Sequence, residues 1–413
     1  MPIAAVPNYL GKNFRDASPG LRFGMLLPVW NLAQLLDNPQ GTRGQLPQEQ
    51  KIKIDNKADA IQQACHLNQA DQALLRGIIQ RQASLADCAA HLLNLEATAT
   101  APFTTGLGNE HPLENGFAFL NPYGLPYLAG SGIKGVIRQA ARELASGEWG
   151  EPHGWSDEKH YAVTADRQTV LLSSADVLFG LEADDEDTLH LRGVLGFWDV
   201  IPKVRGNGLQ VEIMTPHQSH YYQQGKADGP VSPHDGGQPI PIYFLTVPPG
   251  SSMRFHVQCD QPRLESIAPD LAADGRWQVL LTAAFEHAFE WLGFGAKTAV
   301  GYGAMESLAQ RDQRLAVAAQ RQEEARQQQK IEIERRQAEE AVPWNKARIT
   351  YNRRNGTLTV TQGAQTAHAR PPLGEELLGT LPEPLQKKVR TGGSFVRVTA
   401  YVAGSALVRI EAE

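Results

Sequence analysis

From residue 57 to about residue 95, apolar side chains return every three or four positions. They are Ile61, Ala64, Cys65 and Leu67, then Leu74, Leu75, Ile78 and Ile79, then Leu85, Cys88, Leu92 and Leu93. A helix needs that spacing to keep one face apolar, so two or three short amphipathic helices are expected here. Residues 96–105 alternate small and β-branched side chains and read as the first core strand. A second strand-like run, Leu-Pro-Tyr-Leu-Ala, feeds a helix beginning at Gly132. Ser131 is its expected N-cap, and Val136, Ile137, Ala140, Ala141 and Leu144 form its apolar face. Further on, residues 192–200 and 209–214 read as two strands separated by a connection that carries Lys203 and Arg205. Residues 239–247 and 252–258 look like a further pair, joined by Pro248-Pro249-Gly250. Residues 277–292 form a strongly apolar helix that runs into Gly-Phe-Gly-Ala-Lys-Thr-Ala-Val-Gly-Tyr-Gly at 293–303.

The pattern changes after that loop. Residues 310–342 contain no Gly, Pro or aromatic side chain, and their seven basic and seven acidic residues are interspersed. A solvated helix of about 33 residues, roughly 50 Å long, is expected, with too few heptad-spaced apolar positions for a coiled-coil seam. Strand patterns return after Pro343. Asn355-Gly356 marks one hairpin, with Arg353 and Arg354 at its tip, and Gly404 marks a second. At the other end, residues 1–46 are rich in Pro and Gly and read as an irregular segment, with a helix starting near Trp30.

Charge sharpens this division. Ten basic against five acidic residues give 343–413 a net charge of +5, which leaves −11 for the rest of a chain whose formal total is −6. Any polyanion surface must therefore be local. Three cysteines in 413 residues are too few and too scattered for a disulfide framework or a thiolate metal site, as suits a reducing cytoplasm. No apolar run is long enough to span a membrane, and no signal-peptide pattern opens the chain. A core of residues 1–307 with a helical insertion at about 47–95, a charged helix at 308–342 and a basic β-rich module at 343–413 follow from these boundaries.

The richest chemistry lies around residues 104–144. Gly130, Gly132 and Gly135 precede or open a helix on which Lys134, Arg138 and Arg142 fall at i, i+4 and i+8. Free N–H groups at a helix start, beside a lysine, favour phosphate oxygens. The spacing is not that of a P-loop, and a solvated helix using its glycines to pack on a sheet accounts equally well for the pattern. His217 and His220 have H-x-x-H spacing without a third ligand, so no metal and no cofactor is expected.

Four segments together carry a resemblance. Gly-Leu-Gly-Asn-Glu-His-Pro-Leu-Glu-Asn-Gly-Phe at 106–117, Tyr-Leu-Ala-Gly-Ser-Gly-Ile-Lys-Gly at 127–135, Met-Thr-Pro-His-Gln-Ser-His-Tyr-Tyr at 214–222 and the glycine-rich loop at 291–303 resemble the RAMP superfamily of CRISPR proteins. Within it, they are most similar to the sixth subunits of type III-B (Cmr) effector complexes. The resemblance covers residues 1–307 and implies an α+β core of ferredoxin-like, RRM-like units. The long helix and the small all-β module at the C-terminus depart from the family pattern. It also implies a non-catalytic subunit that binds guide and target RNA beside other RAMP subunits, capping the backbone at the 3′ part of the guide. On that reading the RNA contacts of the core are Gly106, Gly108, Ser131, Gly132, Lys134, Arg138, Arg142, Lys203, Arg205, Gly295, Lys297, Thr298 and Gly301; Arg353 and Arg354, outside the resemblance, are expected phosphate contacts from the basic charge of the C-terminal module. A metal-independent ribonuclease is the competing expectation, because Glu110, His111 and Lys134 comprise a carboxylate, an imidazole and an amine suited to acid–base work.

Overall fold

The computed structural model describes residues 6–10, 14–27, 57–111, 113, 115–149, 154–165, 168–181, 190–215, 241–392 and 396–412. The helix expected near Trp30 and the residues His217, His220, Tyr221 and Tyr222 lie outside them. Two compact units divide between Asp312 and Gln313.

In the first unit, helices α1 (Pro19–Gly24), α2 (Lys57–Cys65) and α3 (Gln69–Cys88) precede strand β1 (Leu92–Ala99). The hairpin β2–β3 (Phe119–Leu120, Leu125–Pro126), helix α4 (Gly130–Ala145), the hairpin β4–β5 (Tyr161–Ala165, Gln168–Leu172) and helix α5 (Ser174–Phe179) follow. Strands β6 (Leu195–Phe197), β7 (Gln210–Met214), β8 (Ile242–Thr246) and β9 (Ser252–Cys259) come next. Helices α6 (Gln261–Ile267), α7 (Pro269–Ala272) and α8 (Arg276–His287) then lead to strand β10 (Met305–Ser307). Four of these strands make the central antiparallel sheet, in the order β10-β1-β9-β6. Helix α4 connects β1 to β6 and α8 connects β9 to β10, which gives βαββαβ connectivity with sheet order 4-1-3-2.

The helices cover the sheet because of what they bury. Ile133, Ile137, Ala140, Ala141 and Leu144 on α4 share one core with Leu280, Leu281, Ala284 and Phe285 on α8. Phe255 on β9 meets Phe285, Phe289 and Phe294 at ring-centroid distances of 5.3, 5.4 and 5.3 Å. These spacings suit tilted aromatic packing and fasten the start of the glycine-rich loop to the sheet.

Two expectations are corrected. Leu92 and Leu93 belong to a strand, not a helix, because the chain turns through His91 at φ 54° and β1 then pairs with β9 from Leu92 onward. The strands on either side of Pro248-Pro249-Gly250 do not pair with each other. β8 pairs with β7, while β9 lies between β1 and β6, and the bend hands the chain from one sheet to the other.

The second unit begins within helix α9 (Leu308–Glu339), 32 residues and about 48 Å long. Strands β11 (Val342–Asn352), β12 (Thr357–Gln362), β13 (Gln365–Ala369), β14 (Val396–Ala403) and β15 (Ala406–Ala412) close into a barrel in the order β11-β12-β13-β15-β14. Both expected hairpins form, with Asn352 facing Thr357 and Ala403 facing Ala406. The module is not all-β. Helices α10 (Leu373–Gly379) and α11 (Glu383–Arg390) join β13 to β14 and contribute Leu377, Leu378 and Val389 to the barrel core.

Candidate nucleic-acid interface

Three of the segments that carry the resemblance lie far apart in sequence but meet at the C-terminal end of β1; of the fourth, only Met214 and Thr215 are among the described residues. Ala296 donates its N–H to Thr104 O at 2.8 Å, and Gly303 donates to Pro102 O at 2.9 Å. A Cβ on Gly295 would stand 2.3 Å from Thr104 O, so only glycine allows the loop to lie directly on that backbone. The adjoining Thr105 donates its hydroxyl to Tyr127 O and accepts Ala118 N–H, which draws in the segments at 106–117 and 127–135. Lys297 Nζ contacts Met214 Sδ at 3.1 Å and sits 5.5 Å from the centre of the Phe244 ring. Loop, turn and helix start thus form one backbone-rich surface. Gly108 is exposed near it, Thr298 lies in a short 3-10 turn, and Gly301 has open space around its α-carbon.

Lys203 and Arg205 lie on the adjoining connection. Lys203 pairs with Ser252 through the backbone, and the Arg205 side chain lies against Gly250, whose N–H donates to Ala99 O at the end of β1.

The start of α4 differs from the expected cap. The helix begins at Gly130 after Ala129, and Ser131 is its second residue rather than its N-cap. The capping acceptor is Asp199 Oδ1, which takes the Gly130 N–H at 2.7 Å. This carboxylate, 69 positions away, reaches the helix because Gly130 lacks a Cβ that would stand 2.3 Å from Phe197 O. An acid at the helix start satisfies the dipole locally and takes one donor that a phosphate would otherwise use. Replacing Asp199 with Ala is expected to lower the urea midpoint by an amount worth about 1 kcal/mol, measured by chemical denaturation.

Cationic chemistry runs further along α4. Lys134 is half-buried, and its pKa is lowered first by burial and then by Arg138 and Arg192. Arg138 Nη2 donates to Gly180 O at 3.0 Å, and Gly180 is bridged to Arg192. The fold thus adds Arg192 to Lys134 and Arg138. Nothing in the local sequence marks it, since only the packing of the 190–193 segment beside α4 brings it there. Arg142 lies two turns beyond Lys134 on the same helix and is exposed.

His111 is built into the core of the turn. Its Nδ1 accepts the Leu113 N–H at 3.2 Å, which leaves Nε2 as the protonated nitrogen donating to Phe23 O at 3.0 Å. The ring also stacks on Phe23, with centroids 4.0 Å apart and planes 4° from parallel. Both nitrogens are therefore engaged in holding the turn. Burial lowers the His111 pKa, opposed by the bond to Phe23 O. The folded state then binds less proton than the unfolded one as pH drops below the ordinary histidine value, about 6.5, so this contribution is complete above that pH and is lost below it. Urea midpoints measured between pH 7.5 and 5.5 should fall less steeply for His111→Phe than for the parent.

Among the described residues, no group of three or more His, Cys, Asp or Glu side chains could hold a metal ion, and no helix is long and apolar enough to cross a membrane. In the second unit, Arg353 and Arg354 occupy the exposed four-residue turn between β11 and β12.

A family model described as the RAMP superfamily matches residues 96–306, and the chain belongs to that superfamily. Among its relatives, the CRISPR system Cmr subunit Cmr6 of Pyrococcus furiosus is 29% identical over 290 residues, covering 62% of this chain and 76% of the relative. Solved structures similar to it include a type III-B Cmr-beta complex bound to cognate target RNA, at 19% identity and a TM-score of 0.38, covering 60% of this chain and 69% of that one. The crystal structure of Cmr6 from Pyrococcus furiosus matches at 23% identity and a TM-score of 0.28, covering 52% of this chain and 97% of that one.

Proposed function

We propose that this chain is a non-catalytic RNA-binding and assembly subunit of a type III-B CRISPR effector complex. Its ferredoxin-like core would cap the backbone at the 3′ part of the guide RNA and touch neighbouring RAMP subunits. The observation that carries this reading is the meeting of the glycine-rich loop with the 102–106 and 127–130 segments at one end of the sheet. The N–H groups of Gly130, Ala296 and Gly303 are used within the fold, and the rest of this closely approached backbone would meet phosphates without reading base identity, with guide and target selecting each other by pairing. Superfamily membership and the Cmr6 relative point the same way. Lys134, Arg138 and Arg192 supply the adjoining positive charge. The ribonuclease alternative loses its best acid–base candidate, because both nitrogens of His111 are engaged in the fold.

The test is binding of a guide-length RNA to the purified full-length chain across a salt series. Replacing Lys134, Arg138 and Arg192 with Ala should weaken binding and reduce the salt slope by about 0.7 for each lost phosphate contact. An unchanged slope with an intact fold refutes this surface. RNA cleavage by the parent that vanishes in His111→Ala favours the ribonuclease reading.

A further inference from the structure

The barrel of the second unit has a specific connectivity. Its first strand, β11, pairs antiparallel with both β12 and β14 and bulges between Trp344 and Ala347. Its third and fifth strands, β13 and β15, meet in parallel at His368 and Ala406, and the helices lie between strands three and four. An order of 1-2-3-5-4, closed by pairing of four with one, is that of the oligonucleotide- and oligosaccharide-binding barrel. Such barrels bind along the face of strands two and three, bordered by the loops joining strands one to two and four to five.

Net positive charge on this barrel is concentrated on its first three strands and the segments joining them. Between residues 342 and 372 the chain carries five basic side chains and no Asp or Glu, and β14 has none either. The carboxylates after Val342 lie on α10, on α11 and from Glu411 onward, and Glu411 on β15 faces Thr399, two positions from Arg397, and pairs with Arg409. Strand register places outward residues in rows: Thr366, Thr361, Arg348 and Arg397 in one, and His368, Thr359 and Thr350 in the next. Arg348, Arg397 and His368 are exposed, while the alternating Ala347, Ile349 and Val398 fill the core. Arg353 and Arg354 stand in the loop joining strands one and two, at the border where such barrels take their ligand.

We infer that the second unit is a single-stranded RNA-binding barrel whose site runs from Thr361 and His368 on strands two and three across Arg348 and Arg397 on strands one and four, closed at its rim by Arg353 and Arg354. Four arginines and one exposed imidazole make this a phosphate-dominated site with little base stacking. Its binding is therefore tolerant of sequence and steep in salt. The inference is independent of the RNA path proposed for the core, since it uses residues of the other compact unit only.

The experiment uses the full chain and a labelled oligouridylate of about fifteen nucleotides, within the span one such barrel covers. Changing Arg348, Arg353, Arg354 and Arg397 together to Gln should lower the salt slope by about three units, and the loop pair alone by about one and a half. The loop pair serves as the folding-safe variant, because both side chains lie in an exposed turn outside the barrel core. The Lys134, Arg138 and Arg192 variant is titrated in parallel. A slope lost only in that variant overturns the barrel site and leaves the core reading standing; a slope lost only in the arginine variants does the reverse. Duplex RNA of equal length should bind more weakly than the single strand, and equal or tighter duplex binding overturns the single-strand assignment.

Discussion

Arg22→Ala is expected to destabilise the first unit by about 3–5 kcal/mol, the scale on which a buried charge pair fails when one partner is removed. Only 6% of Arg22 is exposed. Its guanidinium donates to Ala17 O at 2.9 Å, to Gln63 O at 2.6 Å and to His66 O, and it stands 3.6 Å from the Asp71 carboxylate. One side chain thus ties the loop before α1 to the end of α2 and the start of α3. Burial is the main influence on both partners, lowering the Arg22 pKa and raising that of Asp71, so neither charge is comfortable without the other. Asp71 also accepts the Asn68 N–H at 3.0 Å, which completes a reciprocal cap on α3. Removing the guanidinium leaves three carbonyls and one carboxylate to find partners or water. The surface pair Arg254–Glu96 is the contrast. Both of its side chains are about half exposed, and Arg254→Ala should cost less than about 1 kcal/mol. Urea unfolding of the two variants checks the difference; equal costs would mean that the Arg22 site relaxes freely.

Local periodicity was enough to find the two core helices, the long charged helix and both hairpins of the C-terminal module. Each is specified by neighbours a few residues away, such as Asn355-Gly356 at one turn and Gly404 at the other. What the sequence did not reveal depends on distant partners. Ser131 has the right chemistry for a cap, yet Asp199 takes the role because β6 delivers it to Gly130. The strands around Pro248–Gly250 look like a pair, but their partners lie on β7 and on β1 and β6. Arg192 joins Lys134 only through packing. Strand β13 and helices α10 and α11 go unmarked for another reason: each has eight or fewer residues, too short to show a period, and none borders a turn as strong as the Asn355-Gly356 that marks the equally short β12. Gln362-Gly363 before β13 was a usable turn signal, and Pro382 and Pro384 at the start of α11 were another. The superfamily motifs were readable as strings, but their meeting at the end of β1 required the sheet.

Gly303→Ala is expected to cost about 2–5 kcal/mol, while Gly301→Ala two residues earlier costs about 1–2 kcal/mol. Both glycines have positive φ, 78° and 92°, so both substitutions carry the strain of a left-handed L-residue, about 1–2 kcal/mol. They differ in what a new methyl group meets. At Gly301 nothing lies within 4 Å, whereas at Gly303 the Cβ would stand 2.0 Å from Phe294 O and 2.7 Å from Phe294 N. Phe294 cannot withdraw easily, because its ring is packed among Phe255, Phe285 and Phe289 and its N–H is bonded to Gly303 O at 2.9 Å. Overpacking against so fixed a backbone adds about 1–3 kcal/mol. The clash also displaces the bond from Gly303 to Pro102, which holds the loop against the 102–106 segment. RNA affinity of the core should therefore drop in Gly303→Ala under conditions where the variant is still fully folded, and remain near the parent value in Gly301→Ala. Urea midpoints that coincide for the two variants would show that the loop is not clamped at Phe294, and the surface proposed for RNA would then lack its fixed backbone.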